Sequence, residues 1–490
     1  MDKSKSNLKK IAIIIEEILD DFNDDNYLVN PYFRISKLTS EETKKYKFLL
    51  GKYPRETAII FGLVSLPLHL AALATMSITS LLLFYQYLIF QPKTKNLEFL
   101  FLSHAQKENV IDKKSDQFFA LMPEYLKKIG NNVAIIYTNH SRTRYLNKNK
   151  LINQKSIGIT RQIVPKFLKP HEHIYYLHII NKLAYQVIKK GIKSYFNEPL
   201  KSALLISSFA KFYSRSTYNN YLLGQRIEDY CLKTFTKSVF MTFEGKSYEQ
   251  YVTGRLQTSI PNLRIILYQH SPIVFDQIGV VNFLRKNHQK IIILTTGGIY
   301  KNYFRNISKT PKYYVIGSQK ASRKINSKDT KQTSVLFAPE GTNKATQDFT
   351  ELILNLVRKY PGLKFTLRLH PNLKKSLVTK YALFKLRNYS NFIISKNNLG
   401  KDLATSKFVF YRSSAVGIEA LKSKSIPVFY SGTNQSELDA LCFTNGVSVT
   451  MKSIKDFPKL LTINNRNEYV QQKYFDALFS KLDYSILHKL

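Results

Sequence analysis

From Ala58 to Phe90 the chain carries no Asp, Glu, Lys or Arg, a run of 33 residues. That is longer than the roughly 20 apolar residues a helix needs to cross a bilayer. Such a segment must either enter a membrane or be wrapped in protein. Pro67, near its start, removes a backbone donor and is expected to break or kink a helix there. Polar punctuation is limited to hydroxyls, His69 and Gln86. The closing residues Phe84, Tyr85, Tyr87 and Phe90 suit a membrane interface. Both flanks are basic, with Lys44, Lys45, Lys47, Lys52 and Arg55 before and Lys93 and Lys95 after. A simple single span shows charge asymmetry, so this symmetry points to a re-entrant or kinked helix with both ends cytoplasmic. The competing reading is a buried helical hairpin inside a large core.

The rest of the chain is a globular, strongly basic protein. Its net charge is +40 over 490 residues, while hydrophobic residues make up 44%. A basic disordered tail would be far less apolar, and Gly (18) and Pro (16) are too sparse for a fibrous chain. The charge calls for anionic partners: nucleic acid, acidic lipid or phosphorylated substrate. Cys231 and Cys442 are too few for a disulfide framework, which favours a reducing compartment. The start is not a signal peptide, because Lys9-Lys10 and Ile11 to Ile15 run straight into Glu16-Glu17 and Asp20-Asp21. It reads as a short amphipathic helix.

After Pro92 strands and helices alternate, the pattern of a parallel sheet. Strands are expected at 97–103, 133–138, 238–243, 264–268, 291–295 and 313–316, with a helix over 116–129. The stretch 174–230 reads as helical and aromatic. A polar linker, 319–333, separates a second alternation with strands at 335–338, 364–369, 391–394, 408–411 and 426–430. The fold expected is therefore α/β, two Rossmann-like domains facing a cleft, preceded by an apolar membrane-associated helix. The divisions are 1–57 helical and polar, 58–91 apolar, 97–322 first Rossmann-like domain, 331–465 second, and 466–490 a C-terminal helix.

Chemistry is sought at the carboxyl ends of strands, where open α/β sheets bind ligands. Arg412-Ser413-Ser414 joins a strand to a helix, and the helix amino end suits a phosphate. Glu419, further along that helix, is in reach of a ribose hydroxyl. A plain serine N-cap is the bland alternative. Arg368-Leu369-His370-Pro371 ends another strand, and a histidine there can donate to phosphate. Pro339-Glu340-Gly341-Thr342 follows a third, where glycine permits close backbone approach. In the first domain, Phe243-Glu244-Gly245-Lys246, with Glu249 beyond, and Gln269-His270-Ser271 follow neighbouring strands. An acid and a histidine so placed can form a general-base pair. His104 and His140 line the same edge as weaker candidates.

This order of motifs, Glu-Gly, Gln-His, linker, Pro-Glu-Gly, His-Pro and Ser-Ser-x-x-Gly-x-Glu-Ala, resembles bacterial surface-polysaccharide glycosyltransferases of the GT-B architecture. The similarity is to those using cytidine-activated donors: polysialyltransferases, Kdo transferases and CDP-glycerol glycerophosphotransferases. It spans about 97–432. The resemblance implies that His370, Pro371, Ser413 and Ser414 hold the donor cytidylate and Glu419 its ribose. Glu340, Gly341 and Arg368 join the donor site, and Glu244 and His270 face the acceptor as candidate bases. Two positions depart from the pattern: Ser271 stands where Gly is usual, and Arg412 where a small or acidic residue is.

Glycosyl transfer needs a base for the acceptor hydroxyl and stabilisation of the leaving phosphate. No Asp-x-Asp stands at a strand end, so the expectation is a metal-independent enzyme without a bound cofactor, in which Arg368, His370 and the helix amino end neutralise the leaving group. Its partners would be a nucleotide-sugar donor, a glycan or lipid-linked acceptor and an anionic membrane, at the cytoplasmic face of the inner membrane. A CDP-glycerol-type glycerophosphotransferase is the close alternative. A basic single-strand nucleic-acid-binding protein, or a non-catalytic membrane scaffold of the same fold, are those of other classes. Lys and Arg spread along the whole chain, without a binding-module signature, speak against nucleic acid.

Overall fold

The computed structural model of the chain describes residues 3–22, 54–82, 92, 95–105, 116–139, 158–165, 168–275, 277–286, 290–322, 334–371, 373, 375–431, 439–463 and 468–490. The expectations placed on the aromatic end of the apolar run, on His140 and on most of the linker fall outside these residues.

Two parallel sheets, counted among the described residues, organise the fold. The first has seven strands in the order β3-β2-β1-β4-β5-β6-β7. These are β1 Phe99–Ala105, β2 Val133–Asn139, β3 Thr160–Ile163, β4 Ser238–Thr242, β5 Arg264–Gln269, β6 Ile291–Thr295 and β7 Lys312–Val315. The second has six strands in the order β10-β9-β8-β11-β12-β13. They are β8 Ser334–Ala338, β9 Lys364–Leu367, β10 Phe392–Ile394, β11 Phe408–Tyr411, β12 Ile426–Tyr430 and β13 Val449–Met451. Every pairing is parallel. Central strands such as β4 and β6 are buried at every position. Helices cover both faces of such sheets, which is why these strands read as unbroken apolar runs. The fold is thus α/β with two Rossmann-like domains, as expected.

Strand order reverses once in each sheet. In the first it does so between β1 and β4, in the second between β8 and β11. A ligand crevice beside such a reversal, at the carboxyl ends of the strands, is the usual arrangement in this architecture.

The expected helix over 116–129 is shorter, Met122–Lys128. Asp116 prevents the earlier start: its carboxylate accepts the Phe118 and Phe119 amides and the Ser103 hydroxyl, folding 116–120 into a tight loop. Pro123 then opens the helix, where its missing N–H costs nothing.

Between β3 and β4 lies a helical layer of α3 Pro170–Lys193, α4 Pro199–Phe209 and α5 Arg215–Thr234. Against it pack α1 Lys3–Phe22 and α2 Pro54–Leu82. Helix α2 contains the charge-free run from Ala58 to Leu82, and it passes through Pro67 without ending. Pro67 faces outward, so the lost hydrogen bond is at the solvent side. The buried-hairpin alternative does not hold for the described part of α2, where few residues are buried and Leu63 and Leu68 are 67% and 70% exposed.

The last segment is not a single helix. Its helix, Glu468–Leu478, packs on the second domain's Val416–Lys422 helix, and the chain then returns to the first domain. There the Ser480 amide donates to the Thr296 carbonyl and the Asp483 amide to that of Ile316, and Tyr484 stacks on Tyr125. Phe443 completes the junction by meeting Phe275, Tyr300 and Tyr303 of the first domain.

Candidate functional site

The first domain's crevice is lined by a charged cluster. Glu244 follows β4 and His270 follows β5, so parallel neighbours deliver them side by side. His270 Nε2 lies 3.3 Å from Glu244 Oε1. Ser271 Oγ donates to the same carboxylate at 2.7 Å. Lys246 forms an ion pair with its other oxygen. The serine that departs from the family pattern therefore holds the candidate base in place. Burial works against the charge of Lys246, but Glu244 and Glu249 outweigh it and bind its proton more tightly than usual.

A buried brace lies under this cluster. Helix α6, Ser247–Ser259, begins just after the Glu-Gly turn. Its Glu249 accepts the backbone amides of Glu244 and Lys246 at 2.9 and 3.0 Å and the Thr242 hydroxyl at 2.9 Å. Burial raises its pKa to about 7, with Lys246 opposing and Glu244 adding to the rise. Gly245, at φ 74°, lets the turn reach Gly279 and Val280, where a Cβ would strike backbone.

The brace continues to the strand before the crevice. Tyr248 OH sits 2.7 Å from His104 Nε2, and His104 Nδ1 sits 2.5 Å from Thr138 Oγ1. Phe118 stands edge-on to both His104 and His270, with centroids 5.3 and 5.0 Å apart. His104 is therefore a supporting residue rather than an isolated one. Beside His270 opens a cavity of about 380 Å³, lined also by Phe118, Tyr268, Ser318 and Lys320.

The second domain is built differently. Its crevice is a cavity of about 600 Å³ lined by Pro339, Arg368, His370, Pro371, Ser414 and Glu419, among others. Gly341 lies beneath the His370 ring, and a Cβ there would fall 2.7 Å from Nδ1. Only glycine admits this contact, so two motifs far apart in sequence form one wall. Burial lowers the His370 pKa, so its ring is neutral at pH 7. Ser413 adopts φ 48°, a left-handed conformation that costs a non-glycine residue about 1–2 kcal/mol. Such strain clusters at functional turns. Ser414 Oγ accepts the Val416 amide at 3.3 Å, just ahead of the short helix Val416–Lys422, and Ser414 also lines the cavity. Glu419, on that helix, is buried.

Two arginines are already engaged within the protein. The Arg368 guanidinium lines the cavity but binds Asp402 at 2.9 Å and the Asn397 carbonyl at 2.7 Å. Much of its charge is thus neutralised within the protein. Arg412 turns away from the serines, into an ion pair with Asp348 and between Phe349 and Tyr430. Glu340 stands in the turn that Thr342 closes as N-cap of α7, Asn343–Lys359.

The structure therefore brings Glu244 and His270 together in one half, and Gly341, Arg368, His370, Pro371, Ser414 and Glu419 in the other. Sequence reading missed Tyr248 and Phe118, which carry no motif of their own. Among the described residues no group of three or more His, Cys, Asp or Glu side chains is placed to hold a metal ion.

No family model matches the chain, and no curated protein does. Solved structures do. A UDP-GlcNAc 2-epimerase from Methanocaldococcus jannaschii, in complex with UDP-GlcNAc and UDP, is 12% identical with a TM-score of 0.45, covering 77% of this chain and 98% of that one. An α,α-trehalose-phosphate synthase (UDP-forming) from Burkholderia vietnamiensis is 9% identical with a TM-score of 0.46, covering 81% and 96%. A UDP-GlcNAc 2-epimerase from Neisseria meningitidis bound to UDP-GlcNAc is 12% identical with a TM-score of 0.43, covering 80% and 99%.

Proposed function

We propose that this chain is a membrane-associated glycosyltransferase that transfers a sugar from a cytidine-activated donor, such as a CMP-ulosonic acid, onto a cell-surface glycan at the cytoplasmic face of the inner membrane. The observation that carries the reading is the cavity at the second sheet's reversal point. It unites His370, Ser414 and Glu419 around a volume within the range of small-ligand sites.

In this reading the donor phosphate lies between the His370 ring and the Ser413-Ser414 turn. A neutral His370 donates one N–H to the phosphate and takes up a proton more readily as negative charge builds on the leaving group. Glu419 accepts the ribose hydroxyls. Arg368 holds the cavity wall through Asp402 rather than supplying a free charge. No metal is assigned a step.

The acceptor enters from the first domain. Glu244, oriented by Ser271 and His270, accepts the proton of the attacking hydroxyl as its oxygen bonds to the anomeric carbon. Lys246 pairs with the other oxygen of the Glu244 carboxylate. Gly245 and Glu249 fix the turn that aims it.

The test is to incubate the purified chain with a CMP-ulosonic acid, with CDP-glycerol and with UDP-GlcNAc, each with and without acceptor glycan. Release of CMP dependent on acceptor is expected, and its loss in His370→Ala. Turnover of CDP-glycerol instead would move the chain to glycerophosphate transfer. Binding of none of the three would refute the donor assignment.

A further inference from the structure

Helix α2 is long and apolar enough to cross a bilayer, yet its attachments are those of a helix lying flat. We infer that α2 docks parallel to the surface of an anionic phospholipid bilayer, sunk into one leaflet, and does not span it. The inference rests on the membrane placement proposed above and is independent of the donor chemistry.

The residues of α2 that face the protein are Ala58, Gly62, Ser65, Leu73 and Met76. With the half-buried His69 between Ser65 and Leu73, their spacing of three and four forms one stripe of a helix. The opposite stripe is Ile60, Leu63, Val64, Leu68 and Ile78, all exposed. One face thus binds the α3–α4 layer and the other is a continuous apolar strip.

Polar anchors hold the docked face from end to end. Arg55 donates to the Tyr195 carbonyl at 2.8 Å and lies over the Tyr195 ring. His69 Nε2 is 3.1 Å from Lys211 Nζ. Ser77 Oγ is 2.6 Å from His173 Nε2. Arg55 and Ser77 are about 33 Å apart along the helix at 1.5 Å per residue. Their partners lie just past the end and in the first turn of α3, so α2 runs antiparallel to it. An upright helix would carry Lys211 to mid-bilayer, where a charged side chain is costly. A flat helix keeps all three anchors on the aqueous side.

The neighbouring helix has an interfacial composition. The exposed face of α3 and its extension presents Tyr175, Lys182, Tyr185, Lys189, Lys193 and Phe196. Aromatic rings interleaved with lysines match the headgroup zone of anionic lipid. The net charge of +40 adds to that attraction. An apolar strip beside lysines is complementary to anionic lipid, whereas a second copy of this chain would bring like charges together.

The chain has no Trp, so one introduced Trp reports alone. Trp is placed singly at Ile60, Leu68 and Ile78 in the full chain. Each is mixed with vesicles of phosphatidylglycerol and phosphatidylcholine brominated either near the headgroup or near the chain end. Flat docking predicts that headgroup-side bromine quenches all three alike. Quenching of Leu68→Trp chiefly by chain-end bromine, with the other two shallow, would show a span and overturn the inference. So would no quenching at any site, or an apolar strip buried by concentration-dependent dimerisation in sedimentation. As a second variant, Leu63→Lys with Leu68→Lys should lower vesicle binding about tenfold or more. Both positions are exposed, so folding and CMP binding are expected to persist. Unaltered vesicle binding in that variant would also overturn the inference, whatever the donor proves to be.

Discussion

The two domains share an architecture and divide their chemistry. At the first sheet's reversal point charges are already paired: Glu244 with Lys246, His270 and Ser271, over a buried Glu249. At the second, the wall is a neutral histidine, a glycine, a strained serine turn and an arginine already bound to aspartate. The first is a paired, hydrogen-bonded acid–histidine cluster beside a small cavity. The second is an open receptacle whose electrostatic complement is to be supplied by a ligand. A similar strand order thus places the two clusters alike, while the loop residues after each strand set how they differ.

The largest effect is expected from removing charge in the first half only. Glu244→Gln keeps shape and hydrogen bonding but cannot take a proton. A loss of about 10²–10⁴ in kcat is expected with CMP affinity unchanged, as read by turnover and calorimetry. Loss of CMP binding instead would erase the distinction between halves.

The converse change is His370→Ala. It removes a phosphate donor and should weaken CMP binding by about 10- to 100-fold, on the scale of one hydrogen bond to a charged group. Gly341→Ala should act in the same direction by forcing the ring aside. If either variant changes only the pH profile of turnover, the histidine belongs with the base and not the donor.

A third effect is thermodynamic. Glu249 has an ordinary pKa of 4.5 and a folded value of about 7. Between these values the native state holds a proton that the unfolded chain has lost. Its contribution to stability is therefore present below about pH 4.5 and declines as pH rises to about 7. Urea unfolding of wild type against Glu249→Gln should show the wild type gaining by roughly 1–3 kcal/mol at pH 5 relative to pH 8. A difference independent of pH would mean that the brace is charged throughout.

The smallest effect concerns Ser271. Ser271→Gly removes the hydroxyl that donates to Glu244 and should lower kcat only several-fold, through a less well-held carboxylate. A loss as large as that of Glu244→Gln would make the serine a participant.

How much of this could be read from the sequence follows from burial. Strands such as Phe408–Tyr411 and Ile291–Thr295 are buried on both faces, so their apolar runs announced them. Strand β3 did not, because Arg161 lies within it, buried against Glu124. Strand β13, only Val449–Met451, was too short to stand out. Site residues directly after strands were legible because parallel sheets gather those ends. The Glu249–Tyr248–His104 brace was not, since it depends on contacts between β1 and α6 across a wide sequence gap. The apolar run was legible as a helix, but its orientation is set by Arg55, His69 and Ser77, whose partners no pattern names.

The decisive experiment for the donor site is a crystal structure of the chain with CMP. The phosphate is expected within hydrogen-bond reach of His370 and the Ser413-Ser414 turn, with the ribose on Glu419. CMP found instead beside His270 and Lys320, in the first domain's cavity, would contradict the assignment of donor and acceptor to the two halves.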